Sequence, residues 1–381
     1  MKNTLIYWRN VPMDVDLGSF EYIANNWKGK IIIICFDDIL PERKLCDWNN
    51  PEFKNVSNII VPSVNNLRQF IKKIINDNSD AIHIFNGLIG KQYYYLKYYL
   101  KKSLNPRICI MGERPNFYGG KVELSIRKIL VHIIYRYFSF KLNDKVSCFL
   151  PMGLAGVNTY IKYGWDKNKM FQYMYNPKLP EVINKSSLNL PVKLLYIGRF
   201  DATAKGVDIL MSAIDKLERN ESWQLDMVGG YGEIKDEVID WCDHTDNVRY
   251  LGTWKSDEVC NKMCEYDLCI VPSRYDGWNL TPNQAINSGI ATIITDESGS
   301  NELIEYSDSG FVIEANSVNA LHEALLTVIN NPSLLKKWKT NSLNYKEKIS
   351  SKQVGKYFID ILEYSFGEEN KSKPICPWAV Y

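Results

Sequence analysis

Two doubly wound parallel α/β domains are predicted by three features of the sequence. Runs such as KIIIICF (30–36) and AIHIF (81–85) are apolar along their length, which suits strands covered by helices on both faces. Segments with helical spacing separate them. In VNNLRQFIKKII (64–75), for example, Leu67, Phe70, Ile71, Ile74 and Ile75 share one face. The alternation breaks at NPKLPEVINKSSLNLP (176–191), rich in Pro, Asn and Ser, and then restarts, so the chain divides there.

In chain order, strands are predicted at 4–9, 30–36, 58–62, 81–85, 107–111 and 145–150. Helices are expected over about 17–27, 64–75, 89–102, 119–140 and 154–163. Beyond the linker, strands are predicted at 193–198, 223–229, 247–252, 268–273 and 291–295. Helices at 206–218, 232–242, 255–265 and 317–330, and a short one from Thr281 to Gly289, fill the gaps. A last helix, 353–366, follows the second sheet and is expected to cross back to the first domain. The boundaries are therefore 1–176 for the first domain, 177–191 for the linker, 192–350 for the second domain and 351–381 for the returning helix and tail.

Composition narrows the function. With 381 residues, 45% hydrophobic and 24% charged, there is material for two cores. A net charge of +2 gives no reason to expect nucleic acid as a partner. The nine cysteines have no framework spacing. Cys260 and Cys264, or Cys242 and His244, are close in sequence but fall short of a four-ligand zinc set, so buried thiols in a reducing compartment are expected and no metal. The N-terminus reads as no signal peptide, and no run reaches the ~18 apolar residues of a spanning helix. A cytoplasmic location is expected. KQYYYLKYYLKKS (91–103) and KVELSIRKILVHIIYRYFSFK (121–141) mix apolar, aromatic and basic residues. They read either as helices packed on the first sheet or as peripheral contacts with an anionic membrane at its inner face.

The candidate functional residues lie in loops at the carboxyl ends of predicted strands, where open α/β sheets bind ligands. Gly18 follows the first strand and lets a ligand approach the backbone. In GRFDATAKG (198–206), Gly198, Arg199 and Lys205 open a strand-to-helix loop, and two cations near a helix start suit a diphosphate. VGGYGE (228–233) brings Gly229, Gly230 and Gly232 to a second such loop. In RYDGWNLTPNQAINSG (274–289), Asp276 is a candidate acceptor for sugar hydroxyls. Gly277 turns the chain, and the amides of Trp278, Asn279 and Leu280 sit at a helix start that favours anions. Gln284 lies two turns along that helix. The blander alternatives are core packing for Trp278 and turn chemistry for Asp276 and Asn279. His83, inside an apolar run, reads as a core histidine.

Taken in order and spacing, GRFDATAKG, VGGYG, NVRYLG, PSRYDGWNLTPNQAINSG and GSNELI resemble the second domain of the retaining GT-B glycosyltransferases of family 4, the glycosyl transferases group 1. The resemblance is strong over about 193–330 and is traceable in the first half, where LGSFEYIANNW fits the family's first glycine loop and helix. It implies two Rossmann-like domains facing a cleft between them. It implies that Arg199 and Lys205 bind the donor diphosphate, and that the chain from Val248 to Leu251, with Arg249, lines the base. Asp276 and Gln284 stand where the family has two glutamates, the first toward the donor sugar and the second toward the ribose. Glu302, in GSNELI, matches a further family acid, and Glu113 stands near a family histidine on the acceptor side.

The implied activity is retaining, metal-independent transfer of a hexose-type sugar from a UDP- or GDP-linked donor. The acceptor is expected to be a glycan or lipid-linked saccharide in surface polysaccharide biosynthesis, with no cofactor beyond the donor. The alternative is a non-catalytic nucleotide-sugar-binding or scaffold subunit, which the glutamine at 284 keeps open. A metal-dependent transferase would need Asp-x-Asp; DVD (14–16) and Asp37–Asp38 are the nearest matches. A dinucleotide oxidoreductase is disfavoured because the first strand–turn–helix unit lacks the fingerprint glycines.

Overall fold

Two six-stranded parallel sheets organise the chain, seen in a computed structural model. It describes residues 3–12, 15–39, 44, 53, 56–60, 65–115, 121–181, 190–218, 222–367 and 371–379. Asp14 and most of the predicted linker, 182–189, lie outside the described residues. The chain forms two units, each described by itself below.

The first unit comprises Met1–Pro115, Ser125–Lys178 and Ser350–Pro377. Its strands are β1 (Leu5–Arg9), β2 (Ile31–Cys35), β3 (Val56–Ile60), β4 (Ile82–Asn86), β5 (Ile108–Gly112) and β6 (Cys148–Pro151), ordered β3-β2-β1-β4-β5-β6. Leu5 is in register with Ile31 on one side and Ile82 on the other, so β1 is central. Every residue of β1, β2, β5 and β6 is buried, which is why these runs carry no alternation. Helices α1 (Leu17–Asn26), α2 (Leu67–Asp77), α3 (Lys91–Lys102), α4 (Lys121–Leu142) and α5 (Gly153–Lys162) connect them. Tyr95, Leu96 and Tyr99 of α3 join the core, and Tyr93 packs on Phe138 with ring centres 4.8 Å apart. The aromatic run at 91–103 is thus largely a packed helix rather than a membrane face.

The C-terminal helix (Ser351–Phe366) belongs to this unit and lies along α1. Gly355 marks the crossing, since a Cβ there would stand 2.8 Å from the Ser19 carbonyl oxygen and 2.7 Å from the Tyr22 ring. Phe358 beneath it stacks on Tyr7, ring centres 6.0 Å apart. The tail after it divides: Trp378 is buried in the second unit, and its carbonyl accepts the Tyr345 hydroxyl.

His83 is a core residue, as its apolar setting suggested. It is fully buried, accepts the Trp8 indole N–H on Nδ1 at 3.1 Å and stacks on Tyr99 with ring centres 3.8 Å apart. Burial pushes its pKa down to about 3. The unfolded chain takes up this proton near 6.5 and the folded chain does not. Stability is therefore full above 6.5 and falls as pH drops toward about 3. His83→Phe should flatten that acid limb of the urea midpoint against pH; an unchanged slope would show that other groups set it.

The second unit is chiefly Leu179–Ile349. Its strands are β7 (Val192–Ile197), β8 (Trp223–Val228), β9 (Val248–Tyr250), β10 (Leu268–Val271), β11 (Ala291–Thr295) and β12 (Gly310–Ile313), ordered β12-β11-β10-β7-β8-β9. This is the order of the first sheet repeated. Its helices are α6 (Ala202–Lys205), α7 (Val207–Ile214), α8 (Lys235–Asp243), α9 (Val259–Met263), α10 (Thr281–Ser288), α11 (Asn301–Ser307), α12 (Val318–Ile329) and α13 (Pro332–Tyr345), before the returning helix, α14. Leu194, Leu210, Leu225, Leu268, Leu321 and Leu325 meet in its core, each fully buried and worth about 1.5–3 kcal/mol of transfer free energy.

Four departures from the sequence reading have local causes. The edge strand β12 is only four residues long, GFVI, and half-buried throughout, so its apolar run is too short to stand out as the others did. α11 is short, and its apolar residues do not fill a helical period. α13 presents a mainly polar surface and starts at Asn331, whose side chain caps Leu334 N at 3.3 Å, followed by Pro332. The helix predicted from 206 is preceded by α6, and Gly206, with φ of 65°, ends one and starts the other.

In each sheet the winding reverses beside the first strand, between β1 and β4 and between β7 and β10. Loops leaving the carboxyl ends of those strands diverge there and leave room for a ligand.

Candidate active site in the second unit

The switch point between β7 and β10 is built by two loops laced together. After β7, the Asp201 side chain caps α6 by accepting the Ala204 amide at 2.9 Å. Glu233 accepts both the amide and the hydroxyl of Thr203, at 3.0 and 2.9 Å, and these donors hold its carboxyl below the usual range. After β10, the Arg274 and Tyr275 amides donate to the Ala204 carbonyl at 2.8 and 3.2 Å. The Arg274 guanidinium grips Asp208 through two bonds of 2.5 and 2.6 Å and also donates to the Ala202 carbonyl. Gly206 permits this approach, since a Cβ there would lie 2.2 Å from the Pro272 carbonyl oxygen.

The lacing brings Lys205 and Asp276 into a direct ion pair, 71 residues apart in sequence. Their side chains are 19% and 14% exposed, so the pair is partly sheltered. The backbone of Asp276 is fixed on its other side. Its amide donates to the Glu297 carbonyl at 3.1 Å, and its carbonyl accepts the Gly299 amide at 2.9 Å. A carboxylate held by a backbone tied to two neighbouring loops loses little freedom on meeting a ligand. Arg199 is the more open cation, 44% exposed, with Asp201 at 3.5 Å.

The structure separates the other predicted residues into those near this pair and those occupied elsewhere. Gly198 ends β7, its amide bonded to the Val228 carbonyl at 3.0 Å. Gly277 is buried in the turn after Asp276. Leu280 is half-buried just before α10, and Gln284 is half-buried in its first turn rather than two turns along, because the helix starts only at Thr281; the Gln284 amide donates to the Leu280 carbonyl at 3.2 Å. Trp278 is buried and its indole N–H donates to Asn283 Oδ1 at 3.2 Å, so its ring packs the turn. The Asn279 side chain accepts the Thr281 amide at 2.9 Å, so it serves the turn as well. The blander alternative holds for both side chains.

The glycines of VGGYGE make room for the protein itself. A Cβ on Gly229 would be 2.3 Å from the Gly198 carbonyl oxygen, and one on Gly232 would be 2.1 Å from that of Phe200. Gly230 faces Thr253, with its Cβ position 2.6 Å from the hydroxyl. The packing of the loop therefore requires these glycines by itself. Arg249 is also spoken for. It binds the buried Asp226 through two parallel bonds of 2.8 and 2.7 Å, and the Tyr266 hydroxyl adds a third at 2.7 Å. Leu251, the last residue of that predicted stretch, is 39% exposed. Glu302 is buried in the first turn of α11.

Gly18 and Glu113 belong to the first unit. Gly18 is a packing glycine rather than an opening for a ligand. Its amide donates to the Asn176 carbonyl at 3.0 Å, and a Cβ would stand 2.4 Å from Ser351 Oγ and 2.6 Å from the Pro177 oxygen. Glu113 is exposed after β5, where its carbonyl accepts the Tyr160 hydroxyl at 2.7 Å. Burial, with Glu113 and Asp16 nearby, pushes the Tyr175 phenol well above its usual value.

Two residues escaped the sequence reading. Arg274 looks like one more surface cation until its partners are seen. Arg9 ends β1 and pairs with Asp16 at 2.8 Å, both buried, at the switch point of the first unit. A cation at the end of an apolar strand, followed by an acid seven residues on, was the available signal. The Asp-x-Asp alternatives lead elsewhere: Asp37 and Asp38 pair with Lys91 and Lys44 on the surface, at 3.1 and 2.8 Å. Among the described residues, no group of three His, Cys, Asp or Glu is placed to hold a metal ion.

Residues 191–331 match the family described as Glycosyl transferases group 1. The second unit carries a group 1 glycosyltransferase domain. The switch-point residues from Gly198 to Glu302 all fall inside it. An uncharacterized glycosyltransferase of Methanocaldococcus jannaschii is 25% identical over 321 residues, 81% of this chain and 86% of the relative. A lipopolysaccharide core biosynthesis mannosyltransferase of Rhizobium meliloti is 25% identical over 199 residues, 49% of this chain and 54% of the relative. Among solved structures, Anabaena HepE in complex with UDP superposes with a TM-score of 0.71 at 14% identity, covering 95% of this chain and 100% of that one. The fold is GT-B, two Rossmann-like units with a C-terminal helix returning to the first.

Proposed function

We propose that this glycosyltransferase moves a hexose-type sugar, with retention at the anomeric carbon, from a nucleotide diphosphate sugar to a glycan or lipid-linked saccharide in surface polysaccharide assembly. The observation that carries the reading is the Lys205–Asp276 pair at the β7–β10 switch point, with the open guanidinium of Arg199 on the same loop as Lys205. A UDP-bound neighbour and a lipopolysaccharide-pathway relative support the donor and the pathway.

The chemistry follows from charge. As the bond from the anomeric carbon to the diphosphate breaks, negative charge grows on the leaving phosphate. Lys205 and Arg199 are the cations that meet it, and the start of α10 adds its dipole. Without a donor, Lys205 is neutralised by Asp276. A bound diphosphate would draw the ammonium to itself and release the carboxylate to accept sugar hydroxyls. Gln284 offers the ribose an amide that both donates and accepts. The departing phosphate takes the acceptor's proton on the same face, so protein cations suffice for the leaving group.

A thermal-shift screen of UDP- and GDP-linked sugars, followed by transfer assays, tests this. A true donor at 100-fold over its Kd should add about 2.7 kcal/mol to the stability of the unit that binds it. No shift with any nucleotide sugar would remove the donor reading. A shift with no turnover on any saccharide acceptor would favour the binding or scaffold subunit, which the glutamine at 284 makes the natural second reading.

A further inference from the structure

Helix α4 is apolar on two opposite faces, and only one of them is covered. Val131, Tyr135, Phe138 and Leu142 pack into the core of the first unit. On the other side, Ile126, Ile129, Leu130, Ile133, Ile134, Tyr137 and Phe140 face solvent. Their three- and four-residue spacing makes one stripe along the helix. The exposures are large, 61% for Ile129, 59% for Ile133 and 81% for Phe140. Scattered apolar residues are ordinary on a surface, but a contiguous stripe of seven is not.

Charge decides what covers it. Arg127, Arg136 and Lys141 border the stripe or lie along it, and no acid occurs between Leu124 and Asn143. A second copy of the helix laid against this face would set cations against cations in either direction. An anionic lipid surface takes both parts at once: the apolar residues enter the acyl boundary while the long basic side chains reach back to the headgroups. No helix among the described residues is long and apolar enough to cross a membrane, which leaves the in-plane position.

We propose that the outward face of α4 is a membrane-docking surface for anionic lipid, with the helix lying in the plane of the interface. The proposal goes beyond the transfer reaction and does not depend on it, because it uses no residue of the β7–β10 switch point.

Flotation with vesicles of phosphatidylcholine containing phosphatidylglycerol tests it on the full chain. The wild type should float with the anionic vesicles, and far less with phosphatidylcholine alone. Ile129→Glu/Ile133→Glu should cut partition at least about ten-fold, and Arg136→Gln/Lys141→Gln on the order of ten-fold, with stronger loss at high salt. Since these side chains face solvent, the variants should keep the wild-type melting temperature and, with a water-soluble acceptor, the wild-type transfer rate. Equal flotation of wild type and both variants would overturn the proposal, as would no flotation of the wild type. A concentration-dependent dimer abolished by Ile129→Glu/Ile133→Glu would overturn it in favour of a second copy.

Discussion

Lys205→Ala should lower kcat by about 10²–10³-fold, which is the cost of removing one preorganised charge from a developing oxyanion, about 3–4 kcal/mol. The prediction rests on where the lysine is held. Its helix is four residues long, capped by Asp201 and closed by Gly206, so its backbone has little freedom. The β10–α10 loop is tied to the same helix by the amides of Arg274 and Tyr275 and by the Arg274 guanidinium. The ammonium is therefore delivered to a fixed place, where Asp276 holds it. Removing it has two separable consequences. Asp276 loses its cation, which raises the cost of bringing a diphosphate close and so weakens donor binding. The leaving group loses its counter-charge, which slows the chemical step. Lys205→Arg keeps the charge but not the compact shape, and should fall between wild type and alanine. Donor affinity by calorimetry and single-turnover transfer separate the two effects. Turnover within about three-fold of wild type for Lys205→Ala would take this lysine out of the phosphate site.

What the sequence disclosed about this site follows from chemistry that is local in the chain. The two switch-point loops each start at the end of an apolar strand and contain turn residues, cations or an acid, so they announce themselves within ten residues. Strands such as β2 and β5 were legible because burial on both faces leaves only apolar residues to find. The half-buried edge strand β12 and the largely polar helix α13 were not, because there the surroundings rather than the local pattern select the structure. Partnership was the least legible property. In the sequence Arg249, inside a predicted strand, and Lys205, after one, are each simply a cation in a candidate stretch. Only the fold shows that Arg249 is taken by Asp226, a side chain on the neighbouring strand β8, whereas Lys205 pairs with Asp276 on the loop after β10. The glycines misled for a related reason. Gly18, Gly229 and Gly232 do permit close approach, but what approaches is this chain's own backbone or side chain.

The opposite ends of the central strands in the second sheet carry the other large effect. Lys339→Met should destabilise the second unit by about 3–5 kcal/mol, because it leaves a buried carboxylate without its cation. Lys339, on α13, reaches Asp267 at 2.9 Å and the Tyr266 carbonyl at 3.3 Å. The two side chains are 8% and 3% exposed, so water replaces little of what is lost. Asp267 is itself a junction. Its second carboxylate oxygen accepts the Lys193 amide at 3.0 Å, its own amide donates to the Lys193 carbonyl at 2.9 Å, and its carbonyl accepts the Ala291 amide at 3.1 Å. It thus ties the starts of β7, β10 and β11, the strands whose far ends carry the candidate site. Methionine keeps the length and most of the volume of the lysine, so the loss measured is that of the charge and its bonds. Adding Asp267→Asn should recover part of the loss: asparagine retains an acceptor for the Lys193 amide and leaves no charge to bury. The measurements are the urea midpoint and hydrogen exchange of the β10 amides, which report the second unit even where the two units do not unfold together. Transfer per folded molecule should stay near wild type, because the pair touches the sheet at the end away from Lys205. A loss under about 1 kcal/mol would mean that water or a rearranged neighbour satisfies Asp267, and the buried pair would then be no determinant of how β7 and β10 are set.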